Sequence, residues 1–274
     1  MCGPMAMPNA FWKLSEPDPS MSLFDVFRDY LDREIGVVLA TVVAGPRGVG
    51  EKLLIRAGGL VEGHLSPPAL ECSATEDAST LLEEEHSATQ DYEIDDELYS
   101  VFFDVFPAPP QLIIVGASNA ASALCSFAAR AGYRVIVCDA RAAFAVPEHF
   151  PEANQVLKGW PQELLPDLSL TENTYVVLLS HDARFDLPTL EHVLPSPVRY
   201  IGAIGSSRTQ AQRFERLRDE GYSDEQLARV HGPVGLDIGA RTPEEIAIAI
   251  LGEMTAVRRG GNGGFLRDRK SRKS

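Results

Sequence analysis

Several features that common protein classes require are missing from this chain of 274 residues. No apolar run approaches the ~20 residues that a membrane-spanning helix needs. The N-terminus lacks a basic segment followed by an apolar one, so it does not resemble a secretory signal. Lys and Arg total 25 against 39 Asp and Glu, and the resulting net charge of −14 argues against a nucleic-acid-binding surface. We therefore expect a cytoplasmic protein that has no membrane span and does not bind nucleic acid.

Cysteine is also scarce, with only Cys2, Cys72, Cys125 and Cys138. They form no C-x-x-C pair and show no ligand spacing, which argues against a disulfide framework or a structural zinc site. We predict no metal site, and we interpret Cys125 and Cys138 as small core residues. Cys72 lies in a polar stretch and is the one candidate for a reactive thiol.

Composition shifts along the chain predict its domain organisation. Between residues 71 and 97 there are eleven acidic residues and no Lys or Arg, which is typical of a solvated connector, and we interpret residues 66–97 as loop or weak helix. From Arg258 onward the chain carries seven of the 25 basic residues. We predict a disordered leader (1–20), a small N-terminal α/β domain (21–106) that includes the acidic linker (71–97), a proline-rich linker (107–110), a Rossmann-like domain (111–260) and a basic disordered tail (261–274).

Residues 111–141 are the segment around which the larger domain is arranged. A buried strand over 112–115 ends at Gly116, a helix capped by Ser118 follows, and a second buried strand ends at Asp139. This order predicts a dinucleotide-binding βαβ unit, in which an acid such as Asp139 can hold a ribose hydroxyl. Against the pattern G-x-G-x-x-G, however, the chain offers Gly116, Ser118 and Ala121, and Ser118 places a side chain where backbone should approach a pyrophosphate. The pattern therefore favours the βαβ fold more than NAD binding in it.

The remaining chain alternates strand and helix. The sequence predicts strands at 155–157, 175–179 and 199–204, and helices at 187–193, 208–220, 224–230 and 243–257. The smaller domain is predicted to hold a helix at 22–33, strands at 37–43, 52–55, 60–62 and 101–106, and a hairpin turn at Gly58-Gly59. The fold class expected is α/β, a Rossmann-like doubly wound parallel sheet with a smaller N-terminal α/β domain.

Three polar segments follow strands of the predicted sheet, where ligands of open α/β sheets bind. In the first, His181 and Asp182 follow the strand at 175–179, and Asp186 comes four residues after Asp182. A His-Asp pair here is suited to hydrogen-bond donation, general base catalysis or weak metal ligation. The alternative is that it only caps the next helix.

The second segment contains Gly205, Ser206, Ser207 and Arg208 at a predicted helix start. A cation is unfavourable at a helix N-terminus unless an anion binds there, so we interpret the segment as a phosphate site. The alternative is a serine-capped helix with a solvated arginine.

The third segment, residues 231–240, has three glycines and a proline between two predicted helices. Such a loop lets backbone approach a ligand closely. We assign Gly235 and Asp237, its only acid, to the site.

Together these motifs closely resemble the C-terminal Rossmann domain of the xanthine dehydrogenase accessory (XdhC/CoxI) family. The resemblance rests on Asp139 with Arg141, Phe150-Pro151, Trp160-Pro161, His181-Asp182 with Asp186, YIGAIGS (200–206) and GLDIGARTPEEIA (235–247). It covers roughly residues 112–260 in order, and residues 21–106 look like a shortened form of the family's N-terminal domain.

The resemblance implies a maturation factor without turnover of its own. Such a protein binds molybdenum cofactor (molybdopterin), holds it while its sulfido ligand is installed, and passes it to a molybdenum hydroxylase such as xanthine dehydrogenase or CO dehydrogenase. A cysteine desulfurase and a second copy of the chain are the further partners implied. The cofactor-binding residues expected are Gly116, Ser118, Asn119, Asp139, Arg141, His181, Asp182, Gly205, Ser206, Ser207, Arg208, Gly235 and Asp237.

The chain departs from the family pattern, and two other functions stay open. The family usually has a second glycine and a histidine where this chain has Ser118 and Asn119. One alternative is an NAD(P)-dependent oxidoreductase that uses Asp139, with Arg141 toward a 2′-phosphate and His181 as proton relay. The other is an interaction protein whose cofactor site is vestigial.

Overall fold

The computed structural model describes residues 21–57, 61–180 and 182–268. The chain divides into two compact units after Pro109. Four predicted features lie outside the described residues: the leader (1–20), the Gly58-Gly59 turn, His181 and the end of the tail (269–274). No helix within the described residues is long and apolar enough to cross a membrane.

The first unit is an antiparallel sheet with two helices. Its strand order is β3-β2-β1-β5-β4, and its core is formed by side chains such as Leu53, Val101 and Phe103. Ser22 caps the first helix by accepting a hydrogen bond from the Asp25 N–H. The elements are α1 (Leu23–Asp32), β1 (Val37–Ala44), β2 (Lys52–Arg56), β3 (Val61–Gly63), α2 (Pro68–Glu84), β4 (Ala88–Ile94) and β5 (Glu97–Phe106).

The prediction that residues 71–97 form an acidic linker is wrong. This stretch contributes most of α2 and all of β4, which pairs with β5 from Ala88 to Ile94. A stripe of small and apolar side chains at helical spacing, Leu70, Ala74, Ala78 and Leu81, is buried against the sheet. The acidic residues occupy the other faces of the helix, which is why composition alone suggested a solvated connector.

The second unit is a six-stranded parallel sheet with helices on both faces. Its elements are β6 (Gln111–Val115), α3 (Asn119–Arg130), β7 (Arg134–Asp139), β8 (Gln155–Lys158), α4 (Pro161–Leu164), β9 (Thr174–Leu178), α5 (Ala183–Val193), β10 (Tyr200–Ala203), α6 (Ser207–Asp219), α7 (Asp224–Leu227), β11 (Val230–His231) and α8 (Pro243–Arg259). The strand order is β11-β10-β9-β6-β7-β8, the 3-2-1-4-5-6 arrangement of dinucleotide-binding folds read from its far edge. The predicted fold class is confirmed.

Two apolar layers hold this sheet between its helices. On one face α3 and α8 pack through residues such as Leu124, Ile250 and Met254. On the other face α5, α6 and α7 contribute Phe185, Leu217 and Leu227. Because both faces are covered, the strands are nearly continuous apolar runs, and the polar groups are left to the strand ends.

Two further predictions for this half need correction. The helix expected over 224–230 ends at Leu227, because Val230 and His231 pair with Ile201 and Gly202 as a short sixth parallel strand. The disordered tail expected over 261–274 is wrong for its described part, since residues 261–268 include a 3-10 turn over Leu266–Asp268.

Candidate functional site

A pocket of about 440 Å³ opens beyond the carboxyl ends of β6 and β9. It is lined by Ser118, Arg141, Leu179, Ser180, Asp182 and Ala183. These two strands are neighbours in the sheet although they are not consecutive in the chain, so their connections leave in opposite directions. Ligands of open α/β sheets bind at this switch point. The volume lies within the ~300–1,000 Å³ range of small-molecule sites.

Gly116 brings together the two turns beside this pocket. Its φ of +104° lies in the left-handed region, and a Cβ built on it would lie 2.6 Å from the Ser180 nitrogen. The turn after β6 and the turn after β9 therefore touch at a position that only glycine allows. Ser118 then caps α3 by accepting a hydrogen bond from the Ala121 N–H at 3.2 Å. Asn119, the first residue of α3, is exposed.

Asp139 is fully buried, and its side chain stabilises the turn that follows β6. Its Oδ2 accepts a hydrogen bond from the Ala117 N–H at 2.7 Å, and both oxygens pair with the Arg141 guanidinium at 2.9 and 2.6 Å. Burial alone would raise the pKa of this carboxyl, but the hydrogen bonds from Arg141 and Ala117 outweigh it and lower the pKa below its ordinary value. In dinucleotide-binding folds an acid at this position accepts hydrogen bonds from the ribose of the ligand. Here the Asp139 carboxylate instead accepts hydrogen bonds from protein groups.

The turn after β9 contributes the opposite wall. Ser180 is buried, and its hydroxyl accepts a hydrogen bond from the Asp182 N–H at 3.1 Å. Asp182 caps α5 and pairs with Arg184, whose side-chain hydrogen bonds lower the pKa of Asp182 to about 2. The capping role offered as the alternative for this segment is therefore present. Asp182 also lines the pocket, while His181 lies outside the described residues.

The predicted phosphate segment lies at the neighbouring strand end and does not line the pocket. Ser206 caps α6 by accepting a hydrogen bond from the Thr209 N–H at 3.1 Å, and Gly205 has a φ of +144°. Ser207 and Arg208 are exposed. Their arrangement is that of a serine-capped helix with a solvated arginine, and a role of these four residues in ligand binding stays a prediction.

The side chain of Glu253, which the sequence analysis did not single out, fixes the loop after β11 through hydrogen bonds. Glu253 of α8 accepts hydrogen bonds from the Gly235 N–H at 2.9 Å and the Tyr200 hydroxyl at 2.5 Å, and it pairs with His231 Nδ1 at 3.1 Å. Gly235 therefore serves loop geometry, and Asp237 projects from the exposed side of the loop without lining the pocket. The sequence feature that could have predicted this cluster is an acidic residue, Glu253, within the apolar part of a helix.

A second buried polar group ties α5 to α6. Asp186 forms an ion pair with Arg213, which also donates hydrogen bonds to Gln210 Oε1 and to the Ile204 carbonyl oxygen. Both charged side chains are almost fully buried. The sequence placed Asp186 with His181 and Asp182, but its partner makes it part of the scaffold behind the strand ends.

The thiols of this unit are not available for chemistry. Cys125 and Cys138 are buried, and desolvation raises the pKa of Cys125 to about 11 and of Cys138 to about 12. The prediction that they are core residues is confirmed. In the first unit Cys72 is exposed. Among the residues with described positions, no group of three or more His, Cys, Asp or Glu side chains could hold a metal ion.

Family models match most of the chain. Residues 112–254, just over half of the sequence, match the XdhC Rossmann domain, and residues 31–93 match the XdhC and CoxI family. The chain belongs to the XdhC family. The resemblance inferred from the motifs is thus confirmed, and the Gly116 turn, Asp139 and the Glu253 cluster all fall within the matched Rossmann domain of this XdhC-family protein.

Three curated relatives share 30% identity with this XdhC-family chain. A Bacillus subtilis (strain 168) protein, described as a probable subunit of xanthine dehydrogenase, matches over 164 residues, 60% of this chain and 48% of that protein. "Molybdenum cofactor insertion chaperone PaoD" of Escherichia coli (strain K12) matches over 148 residues, 54% of this chain and 40% of that protein. "Uncharacterized protein YqeB" of the same strain matches over 168 residues, 61% of this chain and 31% of that protein. The matched region thus spans less than half of each relative.

Among solved structures, one described as a xanthine dehydrogenase from Bacillus halodurans matches with a TM-score of 0.49 and 20% identity. The match covers 93% of this chain and 98% of that one.

Proposed function

We propose that this chain holds molybdenum cofactor and delivers it to a molybdenum hydroxylase of the xanthine dehydrogenase or CO dehydrogenase type. The observation that carries the proposal is the pocket at the β6/β9 switch point, in a chain that belongs to the XdhC family. A relative named as a molybdenum cofactor insertion chaperone supports the cofactor, and a relative named for xanthine dehydrogenase supports the client.

The polar groups of the pocket fit the phosphate end of molybdopterin. The hydroxyls of Ser118 and Ser180 each accept a backbone hydrogen bond, which leaves their own hydrogens to donate. The first N–H groups of α3 have no acceptor within the helix. Together with the two serine hydroxyls they offer donors to phosphate oxygens at a helix N-terminus. When bound, the cofactor would supply the molybdenum and sulfido chemistry that the client enzyme uses.

The described pocket residues offer no nucleophile for sulfur transfer. None of them is a cysteine, and the nearest thiol in sequence, Cys138, is buried with a pKa of about 12. We therefore assign the chain a holding role, in which a partner such as a cysteine desulfurase delivers sulfur. A homodimer is part of the same proposal, so that two copies would present two pockets to their partners.

The alternative of an NAD(P)-dependent oxidoreductase is favoured by one observation, the strand order typical of dinucleotide-binding folds. Against it stand the side chain of Ser118 and the engagement of both Asp139 oxygens by protein donors. The holding function needs neither a second glycine nor a free acid after β7, so it agrees better with the geometry.

Purification from cells that overproduce molybdopterin tests the proposal. The bound pterin is released, oxidised to its fluorescent form and quantified against protein, and the expected result is a near-stoichiometric amount. Ser118→Asp places a carboxylate among the donors and should abolish retention, whereas Ser79→Asp on the exposed side of α2 should not. A folded chain that carries no pterin would contradict the proposal.

A further inference from the structure

The loop after β7 holds a large apolar side chain at the protein surface. Phe144 is 47% exposed, and its ring lies against the Arg141 guanidinium, whose Cζ is 4.4 Å from the ring centroid. Two backbone hydrogen bonds close the loop, from the N–H groups of Phe144 and Ala145 to the Arg141 carbonyl oxygen at 2.9 and 3.1 Å. Ala145 is fully buried and anchors the turn. The position of the ring is thus set by the loop.

The guanidinium beneath this ring is fixed in orientation. Its edge is held by the buried Asp139 carboxylate through two hydrogen bonds, and the Phe185 ring lies 5.7 Å from Cζ. A guanidinium held by its edge keeps its faces for stacking. Arg141 and Phe144 therefore form a cation–aromatic pair at the protein surface, and the Arg141 side chain remains 48% exposed.

The charges around this surface cancel in pairs. Arg141 is neutralised by Asp139, and Arg184 by Asp182 on the opposite wall. A phosphate gains less from an arginine that a buried carboxylate already satisfies. An aromatic ring gains from a planar cation and a neighbouring aromatic side chain, because both present flat, polarisable faces.

We propose that Arg141 and Phe144 form a stacking subsite for a planar nitrogen heterocycle of the ligand that occupies the adjacent pocket. Arg141 lines that pocket, so a ring stacked here would belong to the same molecule whose phosphate meets Ser118. The inference rests on the proposed function and deepens it. Two parts of the expected ligand have this chemistry: the pterin of molybdopterin and the base of its dinucleotide form.

Binding of small probes to the full-length chain, purified without cofactor, tests the subsite. Calorimetric titrations with neopterin, GMP and CMP separate the pterin from the nucleotide bases. We expect at least one probe to bind, and Phe144→Ala to weaken its binding about tenfold or more, because base–aromatic stacking is lost. Phe144→Tyr keeps the ring and should restore the affinity.

A matched control lies elsewhere in the same unit. Phe265 is 71% exposed, its ring faces the Arg267 guanidinium at 4.7 Å, and it does not line the pocket. Phe265→Ala should leave every affinity unchanged. Equal weakening by the two alanine variants, no effect of Phe144→Ala, or no binding of any probe up to millimolar concentration would each overturn the inference.

The two proposals fail in different ways. If molybdopterin copurifies equally with the wild-type chain and with Phe144→Ala, and dissociates from both at the same rate, the subsite is wrong and the holding function stands. If the chain retains no molybdopterin but binds a probe in a Phe144-dependent manner, the subsite stands and the proposed cofactor is wrong.

Discussion

Glu253 and Gly235 join helix α8 to the glycine-rich loop that follows β11: Oε2 of Glu253 accepts the Gly235 N–H at 2.9 Å. A Cβ on Gly235, whose φ is +102°, would lie 3.1 Å from the Ala249 Cβ, so the loop runs directly over the helix. Burial alone would raise the pKa of Glu253, but hydrogen bonds from His231, Tyr200 and Gly235 lower it below its ordinary value. The glutamate is therefore ionised and organises the loop.

Replacing this carboxylate by an amide tests its role. Glu253→Gln keeps the shape but removes the negative charge that strengthens the hydrogen bonds from Tyr200 and Gly235, and its N–H₂ group forces His231 Nδ1 to accept a hydrogen bond. We expect the free energy of unfolding to fall by about 1–3 kcal/mol and the Gly235 amide to exchange its hydrogen faster. Glu225→Gln, at an exposed position of α7, is the matched control. Unchanged stability and unchanged exchange at Gly235 would rule out this role.

Asp139 predicts a pH dependence. Because its pKa is lowered in the folded state, the carboxylate contributes stability above its unfolded pKa of about 3.9, and this contribution is lost as the pH falls through the folded value. Urea denaturation from pH 7 to pH 2 should show the wild-type chain losing stability faster than Asp139→Asn below about pH 4.

At neutral pH the same variant should be less stable than the wild-type chain. In either orientation its N–H₂ group faces a donor, the Ala117 N–H or the Arg141 Nε–H, and the loss of charge-assisted bonds costs about 1.5–3 kcal/mol. Parallel pH profiles for the two chains would show that Asp139 is not the group responsible.

The Gly116 turn can be tested with a pair of glycines. Gly116→Ala forces a residue with a Cβ into a left-handed conformation and places that Cβ 2.6 Å from the Ser180 nitrogen. Gly132→Ala has a similar φ of +87° but meets nothing within 4 Å. Strain at such a φ costs about 1–3 kcal/mol, so Gly132→Ala should lose that amount in urea denaturation and Gly116→Ala clearly more. Equal losses would mean that the two turns do not touch.

Local signals in the sequence were sufficient for most of the fold. Ser118 was recognised as a helix cap, and it accepts the expected backbone hydrogen bond from the Ala121 N–H. The four central strands of the parallel sheet, β6, β7, β9 and β10, are almost entirely buried, so their apolar runs were visible without knowledge of their partners. The helix over residues 68–84 was interpreted only as loop or weak helix, because its buried stripe is rich in alanine and its remaining faces are acidic.

Tertiary pairing decided what the sequence could not. Asp139 was correctly placed at a strand end, yet its role depends on Ala117 and Arg141, which the fold brings to its two oxygens. Asp186 was grouped with Asp182 because they are close in sequence, but a buried arginine on the next helix holds it. Hydrogen-bond and ion-pair partners that come from separate elements leave no periodic pattern in the sequence, so they could not be predicted from it.

The buried ion pair between Asp186 and Arg213 should be far more important for stability than exposed pairs. Arg213→Ala removes the cation from a carboxylate whose side chain is only 7% exposed, and losing one partner of a buried pair costs about 3–5 kcal/mol. Arg218→Ala, on the same helix as Arg213, breaks the exposed pair with Asp224 of α7 and should cost much less. Thermal and urea unfolding of both variants measure the difference, and similar losses would contradict the scaffold role of Asp186.

Nicotinamide cofactors should bind weakly. A ribose hydroxyl could reach Asp139 only by displacing Arg141 or the Ala117 N–H, and Ser118 adds a side chain at the pyrophosphate turn. Fluorescence titration should therefore show no affinity for NADH or NADPH below the millimolar range. Ser118→Gly restores the glycine pattern but leaves Asp139 engaged, so it should bind no better. Tight binding by this variant alone would show that the serine excludes the cofactor, and tight binding by the wild-type chain would revive the oxidoreductase hypothesis.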